Sequence, residues 1–325
     1  MPAHIRVASR TTICLLAAAM APAMAACNES SRAGADPPAL SKEQARQVLA
    51  GFTAGANQAG HSLDRRALAG IEAEPQLAMD TAAFRLRRAI RQRPPLLEFA
   101  EPVFYIPRMH GYPHWFAVDT TTGSGEQPVR HALLFTQARA GGPWLLAADP
   151  YPGEGALRKV KLDSAGFAEP VRPDAKDLAV SPGGLPAAHA ALLTDGPHAQ
   201  GASVFAEGSK TSQTYEALRQ GEQALAKRGI TLSSRFSATP YTVYALRTQG
   251  GGALVWYVVK QNEAYSSVRR GTLAVSGDLV GLARARVPRN RLDTTVLVQY
   301  LAAVPPKGRA TVTGMYRKAV SVYGS

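Results

Sequence analysis

Apolar and polar positions recur along the chain with two different periods, and the switch between them marks out the elements. Ala45, Val48, Leu49, Phe52 and Ala56 return at helical spacing behind Ser41-Lys42-Glu43-Gln44, whose hydroxyl and carboxamide three residues apart fit a capping box. This predicts a helix from Ser41. A second helical stretch covers roughly Leu63 to Gln92, where Pro75 removes a backbone donor and should interrupt it and Pro94-Pro95 stops it. Its last part, from Asp80, places Ala82, Leu86, Ala89 and Ile90 on one face. Beyond Phe99 the pattern changes to short apolar runs: Val103-Phe104-Tyr105-Ile106, Trp115-Phe116-Ala117-Val118, Ala132-Leu133-Leu134-Phe135 and Trp144-Leu145-Leu146-Ala147. Pro, Gly and polar residues separate them, which predicts four strands of an antiparallel sheet.

From Pro150 to about Pro186 the chain is punctuated by prolines and glycines, and the order of elements then repeats. Ala187 to Leu193 is a short helical candidate. Thr214 to Arg228 is a longer one, followed by Gly229 in the place of a left-handed cap. Thr242 to Arg247 and Ala253 to Lys260 read as a hairpin joined through Gly250-Gly251-Gly252. Thr272 to Val275, Val280 to Val287, Thr294 to Leu301 and Ala310 to Tyr316 are further strand candidates. The continuous run Leu254-Val255-Trp256-Tyr257-Val258-Val259 predicts a central strand covered on both faces.

Helices ahead of strands, twice over, point to an α+β protein of two tandem units, each with helices packed on a curved antiparallel sheet. By element order alone this resembles NTF2-like or cystatin-like folds. The expected division is residues 41–165 and 166–325, preceded by a tether over 27–40 and a removable leader over 1–26.

The leader is read from its own pattern. Arg6 and Arg10 precede the apolar stretch Ile13 to Met20, which is too short to span a bilayer as a stable helix and reads as an export signal. Ala21-Pro22-Ala23-Met24-Ala25-Ala26-Cys27 then brings small residues up to a cysteine, and this resembles the bacterial lipobox, although the pattern prefers Leu where Met24 stands. In that reading the Cys27 thiol accepts a diacylglycerol and the chain is anchored at the outer face of the cell membrane. An ordinary secretory signal cut near Ala23 or Ala25 is the other reading. With Cys14 in the leader, Cys27 is the one cysteine left, so a disulfide, a redox pair and a cysteine zinc site within one mature chain are excluded.

Composition adds a partner class. A length of 325 residues with 46% hydrophobic and 19% charged residues excludes collagen, coiled coil and a polytopic membrane protein. Lys and Arg number 37 against 24 Asp and Glu, and losing Arg6 and Arg10 lowers the net charge from +13 to +11. A tethered body with that excess is drawn to anionic lipid or a cell-wall polymer, and export argues against nucleic acid. Arg85, Arg87, Arg88, Arg91 and Arg93 form the densest cluster, either a contact for an anionic surface or a solvated helix face. Arg284, Arg286, Arg289 and Arg291 are a lesser one.

The signatures of common hydrolases, metalloproteases and nucleotide-binding proteins are missing. His110-Gly111-Tyr112-Pro113-His114 is the nearest approach to a metal pair, but Pro113 opposes the helix that would align the two imidazoles, so ordinary loop histidines are expected, with no metal and no cofactor. Should a cone-shaped pocket exist, Tyr105 and Asp119, with Tyr112 and His114 nearby, are its candidate polar groups. The competing reading makes Tyr105 core packing and Asp119 a strand-end residue. Trp115, Trp144 and Trp256 are expected in strand cores.

Phe104-Tyr105-Ile106-Pro107-Arg108, then Trp115-Phe116-Ala117-Val118 and Tyr244-Ala245-Leu246-Arg247, resemble a family of actinobacterial lipoproteins to which no activity is attached. The resemblance implies export and lipidation. The expected function is binding or scaffolding at an anionic surface of the envelope, with a small-molecule-binding or isomerase-like enzyme as the alternative.

Overall fold

Ser41 caps the first helix as its spacing requires: its hydroxyl accepts from the Gln44 amide while the Gln44 side chain accepts from the Ser41 amide. The computed structural model describes residues 36–123, 128–269, 273–283 and 290–324. Helix α1 (Lys42–Ser62) buries Ala45, Leu49, Phe52 and Ala59. The broken second stretch becomes α2 (Arg65–Ala69) and α3 (Gln76–Ala89), with the interruption ending at Pro75. Strands β1 (Ala100–Tyr105), β2 (His114–Thr122), β3 (Val129–Gln137) and β4 (Leu145–Ala148) follow as an antiparallel meander in that order.

The second sheet is built on longer strands. β5 (Tyr151–Pro152), β10 (Thr311–Gly324), β9 (Arg291–Val304), β8 (Ala253–Ser267) and β6 (Ile230–Ala238) lie side by side in that order. β7 (Tyr244–Arg247) shares an edge of β8 with β6: β7 pairs with residues 253–256 and β6 with 259–267. The Leu254–Val259 run is thus central, with partners on both edges and every side chain buried. Gly251, at a φ of 75°, turns the β7–β8 hairpin in a conformation that a side chain would strain. Helices α4 (Leu185–Asp195) and α5 (Ser212–Ala226) lie in the chain between β5 and the other strands of this sheet, and Gly229 adopts the left-handed conformation after α5.

Alternation along the strands stacks the described residues in four layers. Phe116, Val118, Leu133 and Phe135 face α1 and share a core with Phe52 and Leu49. From the opposite face of the same sheet, Trp115, Ala117, Ala132 and Leu134 meet Leu254, Trp256 and Leu301 of the second sheet. Tyr257, Val259, Val298 and Tyr300 then point the other way, onto Leu185, Leu192 and Leu193 of α4. The two sheets therefore share one core, and Trp256 Nε1 donates across it to the Ala132 carbonyl at 3.0 Å. Asp36–Ser325 forms one compact unit. The strand expected from Val280 begins differently, with a 3-10 turn over Gly277–Gly281, and residues 284–287 lie outside the described residues. A Cβ on Gly281 would strike the backbone of Arg85 and Leu86, so this turn rests directly on α3. β6 was absent from the expected strands because Ser and Arg interrupt its apolar positions.

Candidate functional site

The first sheet ends at β4, and its free edge is continued by the chain between α2 and α3. Leu146 receives and gives backbone hydrogen bonds to Ile71 and Ala73, at 2.9 Å each, and so holds Glu72 as one more short strand at the border. α3 starts three residues later and its first turn reaches the inner face of the second sheet, where Gln299 Nε2 donates to Gln76 Oε1 at 2.9 Å. Beneath α1 and α3, at this junction, lies a cavity of about 460 Å³.

Its walls are apolar and its floor is not. Phe52, Leu68, Phe84, Leu97, Phe99 and Leu133 line the upper part. Residues 93–97 close one side, with Asn57 of α1 clamping Leu97 in both directions, 2.7 Å to its amide and 2.9 Å to its carbonyl. Aromatic rings descend toward the floor: Phe52 to Phe99 at 6.4 Å, Phe99 to His131 at 5.6 Å, His131 to Tyr151 at 5.0 Å and Tyr151 to Tyr316 at 5.0 Å between centroids. At the bottom stand Glu72, Gln76, Asp80, His131 and Asp149.

These polar groups form one connected network. The Asp149 amide donates to Gln299 Oε1 at 2.7 Å, Gln299 donates to Gln76, and Gln76 Nε2 donates to Asp80 Oδ2 at 2.8 Å. His131 Nδ1 faces the Asp149 carboxylate at 2.8 Å and its Nε2 faces the Thr122 hydroxyl at 2.7 Å. The pairing places a proton on Nδ1, which donates to the carboxylate. Burial raises the Asp149 pKa above the ordinary carboxylate value, and the charge and hydrogen bond of His131 act against that rise.

Glu72 is only 3% exposed, and its Oε2 lacks a hydrogen-bond partner among the described residues. Burial first, and next the charge of Asp80, push its pKa up to about 10, so it keeps its proton at neutral pH. Asp80 is half-buried and opens on the cavity; burial raises its pKa, while hydrogen bonds from Gln76 and Glu72 favour its charged form. Glu72 therefore carries a proton at neutral pH and directs it at Asp80. Among the described residues no three His, Cys, Asp or Glu side chains are placed to hold a metal. An acid, an imidazole and a hydroxyl in line form a nucleophile relay elsewhere, but Thr122 is not among the residues that line the cavity. What the floor can do is accept hydrogen bonds and exchange a proton.

The residues singled out in the sequence lie elsewhere or at the rim. Tyr105 packs into the core between the sheets, and Asp119 beside it is buried and paired with Arg130 at 2.7 Å. Both project from the face of the first sheet opposite the cavity, among Trp115, Ala117 and Leu134. Tyr112 stacks on His114 at 4.2 Å, and His110 pairs with Asp36 at 2.9 Å on the surface. Trp115 and Trp256 are core residues, whereas Trp144 is half-buried just before β4. Arg87 and Arg93 line the cavity, and Arg87 Nη1 donates to the Arg93 carbonyl at 3.2 Å. Arg85 and Arg91 are exposed at the same end of α3, and Arg88 is half-buried, donating to the Leu63 carbonyl at 2.8 Å. Among the described residues none of the five is paired with a carboxylate. Cys27, Arg284, Arg286 and Arg289 lie outside the described residues.

Glu72, Gln76, Asp80, His131, Asp149 and Gln299 were not candidates from sequence. A signal existed in part: Gln299 interrupts Val296-Leu297-Val298-Gln299-Tyr300-Leu301, and Gln76 and Asp80 stand four apart on one helix face.

Comparison with known proteins gives a family and a set of relatives. Residues 36–324 match the family described as "Domain of unknown function (DUF8094)". An "Uncharacterized lipoprotein" of Streptomyces coelicolor is 27% identical over 297 residues, covering 88% of this chain and 87% of the relative. One of Streptomyces avermitilis is 28% identical over 279 residues, covering 83% and 81%. A further Streptomyces coelicolor lipoprotein is 26% identical over 280 residues. No solved structure matches. Among the described residues no helix is long and apolar enough to cross a membrane.

Proposed function

The chain belongs to the DUF8094 family, and from that we propose a lipid-anchored protein of the cell envelope that binds a small amphipathic molecule in the cavity beneath α1 and α3. The anchor is supported by the small residues leading to Cys27 and by relatives named lipoproteins. Binding rests on one observation: a cleft of about 460 Å³ whose aromatic and aliphatic walls run onto a floor of convergent polar side chains, the make-up of a small-molecule site. We read the role as binding, because the floor sets hydrogen-bonding and proton-holding groups against an apolar volume that fits a ligand.

The arginines of α3 extend this reading. Arg87 and Arg93 line the cavity, and Arg85, Arg88 and Arg91 add charge that no carboxylate pairs among the described residues, which suits an anionic lipid or cell-wall polymer next to the opening. The element order, helices ahead of strands twice over, is what speaks for two α+β halves divided near residue 165, by analogy with NTF2-like or cystatin-like folds, the halves being packed together through the core between the two sheets.

The uncharged fluorophore N-phenyl-1-naphthylamine tests the cavity. Saturable binding is expected, and Ala83→Trp, which places an indole among the lining residues, should abolish it; a wild-type protein that fails to bind sinks the proposal. Cys27→Ala should leave the protein soluble after cell fractionation, and a variant still carrying lipid in the membrane would refute the anchor.

A further inference from the structure

We propose that the cavity takes an ammonium ion bearing an apolar body, with its N–H donors on the carboxyls of Glu72 and Asp80 and its body along Phe52, Phe84 and Phe99. This rests on the cavity being a binding site and adds the class of ligand.

The argument starts from Glu72. It is 3% exposed, lines the cavity, and has one carboxyl oxygen without a partner among the described residues, whereas Gln76, Asp80, His131 and Asp149 around the floor are hydrogen-bonded. Gln76 and Gln299, also buried, use their amides head to tail. A glutamine at position 72 would fit such a chain at less cost than a carboxyl, because burying an ionisable group without a full set of partners is unfavourable. The fold alone therefore does not account for an acid there. A ligand that brings donors does.

The sign of the charge follows from what faces the pair. Asp149 and Glu74 add negative potential to Glu72, and Asp80 stands against it from α3. His131, from β3, is engaged by Asp149, and Tyr151 and Tyr316, from β5 and β10, are neutral phenols. Lys318 of β10 lowers the Asp80 pKa only weakly and is paired with Asp278 at 3.2 Å. The arginines of the lining, Arg87 and Arg93, belong to the rim. A cation at the floor meets uncompensated carboxyl oxygens, whereas a carboxylate would meet them with the wrong sign. The bound ammonium replaces the proton that Glu72 directs at Asp80, and that proton leaves to solvent, so charge is conserved on binding.

Octylammonium, octanol and octanoate separate the possibilities by titration calorimetry at neutral pH, in buffers of different ionisation enthalpy. Octylammonium should bind at least about tenfold more tightly than octanol, a difference of about 1.4 kcal/mol, and release up to about one proton per site. Glu72→Gln should abolish the proton release and cut the preference, leaving Asp80 as the one carboxyl that meets the cation, while octanol binding persists. Asp80→Asn gives the same comparison should the first variant fold poorly. Equal binding of octylammonium and octanol, a preference for octanoate, or an unaltered preference in both variants overturns the ammonium site but leaves the cavity as a binding site. Failure of all three probes overturns both.

Discussion

Replacing Glu72 by glutamine should make the protein more stable at neutral and alkaline pH. In the folded chain the Glu72 carboxyl keeps its proton up to about pH 10, against an ordinary value of 4.5 once unfolded. Between those limits the folded state binds the extra proton, so raising the pH favours unfolding. Each pH unit above 4.5 costs about 1.4 kcal/mol, which gives a ceiling of about 4 kcal/mol near pH 7.5. Asp80 titrates together with Glu72 and takes up part of that, so we expect about 2 kcal/mol. An amide at position 72 can still donate to Asp80 and carries no such penalty. For a unit spanning residues 36–325 that is a rise of about 3 °C in Tm. Urea unfolding of both proteins from about pH 6 to about pH 9 checks the reasoning, because the wild-type stability should decline with pH more steeply than the variant's. Identical slopes, or a variant less stable throughout, would show that the buried acid is no liability and that the floor is misread.

Two further effects follow from packing. His189 is fully buried, donating from Nε2 to the Lys210 carbonyl at 2.9 Å and accepting from the Tyr257 hydroxyl at 2.9 Å, and burial lowers its pKa to about 4. The unfolded chain protonates below about 6.5 and the folded one does not until about 4, so stability should fall by up to about 3 kcal/mol over that window. His189→Gln should flatten the decline between about pH 6.5 and about pH 5, and an equal decline in both proteins would refute the assignment. Asn57→Ala removes both bonds to Leu97 and should cost about 1–3 kcal/mol, with faster amide exchange at Leu97; unchanged protection there would show that the 93–97 segment is held by other contacts.

The local elements were legible because they depend on near neighbours. The capping box at Ser41, the break before Pro75, the four strands between Ala100 and Ala148 and the hairpin at Gly251 each follow from residues a few positions apart. The resemblance to actinobacterial lipoproteins also held, since the matched relatives are lipoproteins of Streptomyces. Where a short-range signal was weak, the reading was incomplete. β6 was missed because its pairing to β8, rather than its own pattern, keeps it extended.

By itself the sequence determined an α+β chain, its strand-rich halves, its excess of basic charge and a cysteine in lipobox context. The tertiary structure alone decided that the two sheets share a core and that the site is not where polar strand residues suggested. Tyr105 and Asp119 lie one strand face away from the cavity, a choice set by which side of the sheet each helical layer covers. The floor unites Glu72, Asp80, His131, Asp149 and Gln299, residues up to 227 positions apart, and no spacing rule links them. They meet because β4 ends early and residues 71–73 continue its edge and lead α3 onto the second sheet, and that junction exists only once both sheets have packed.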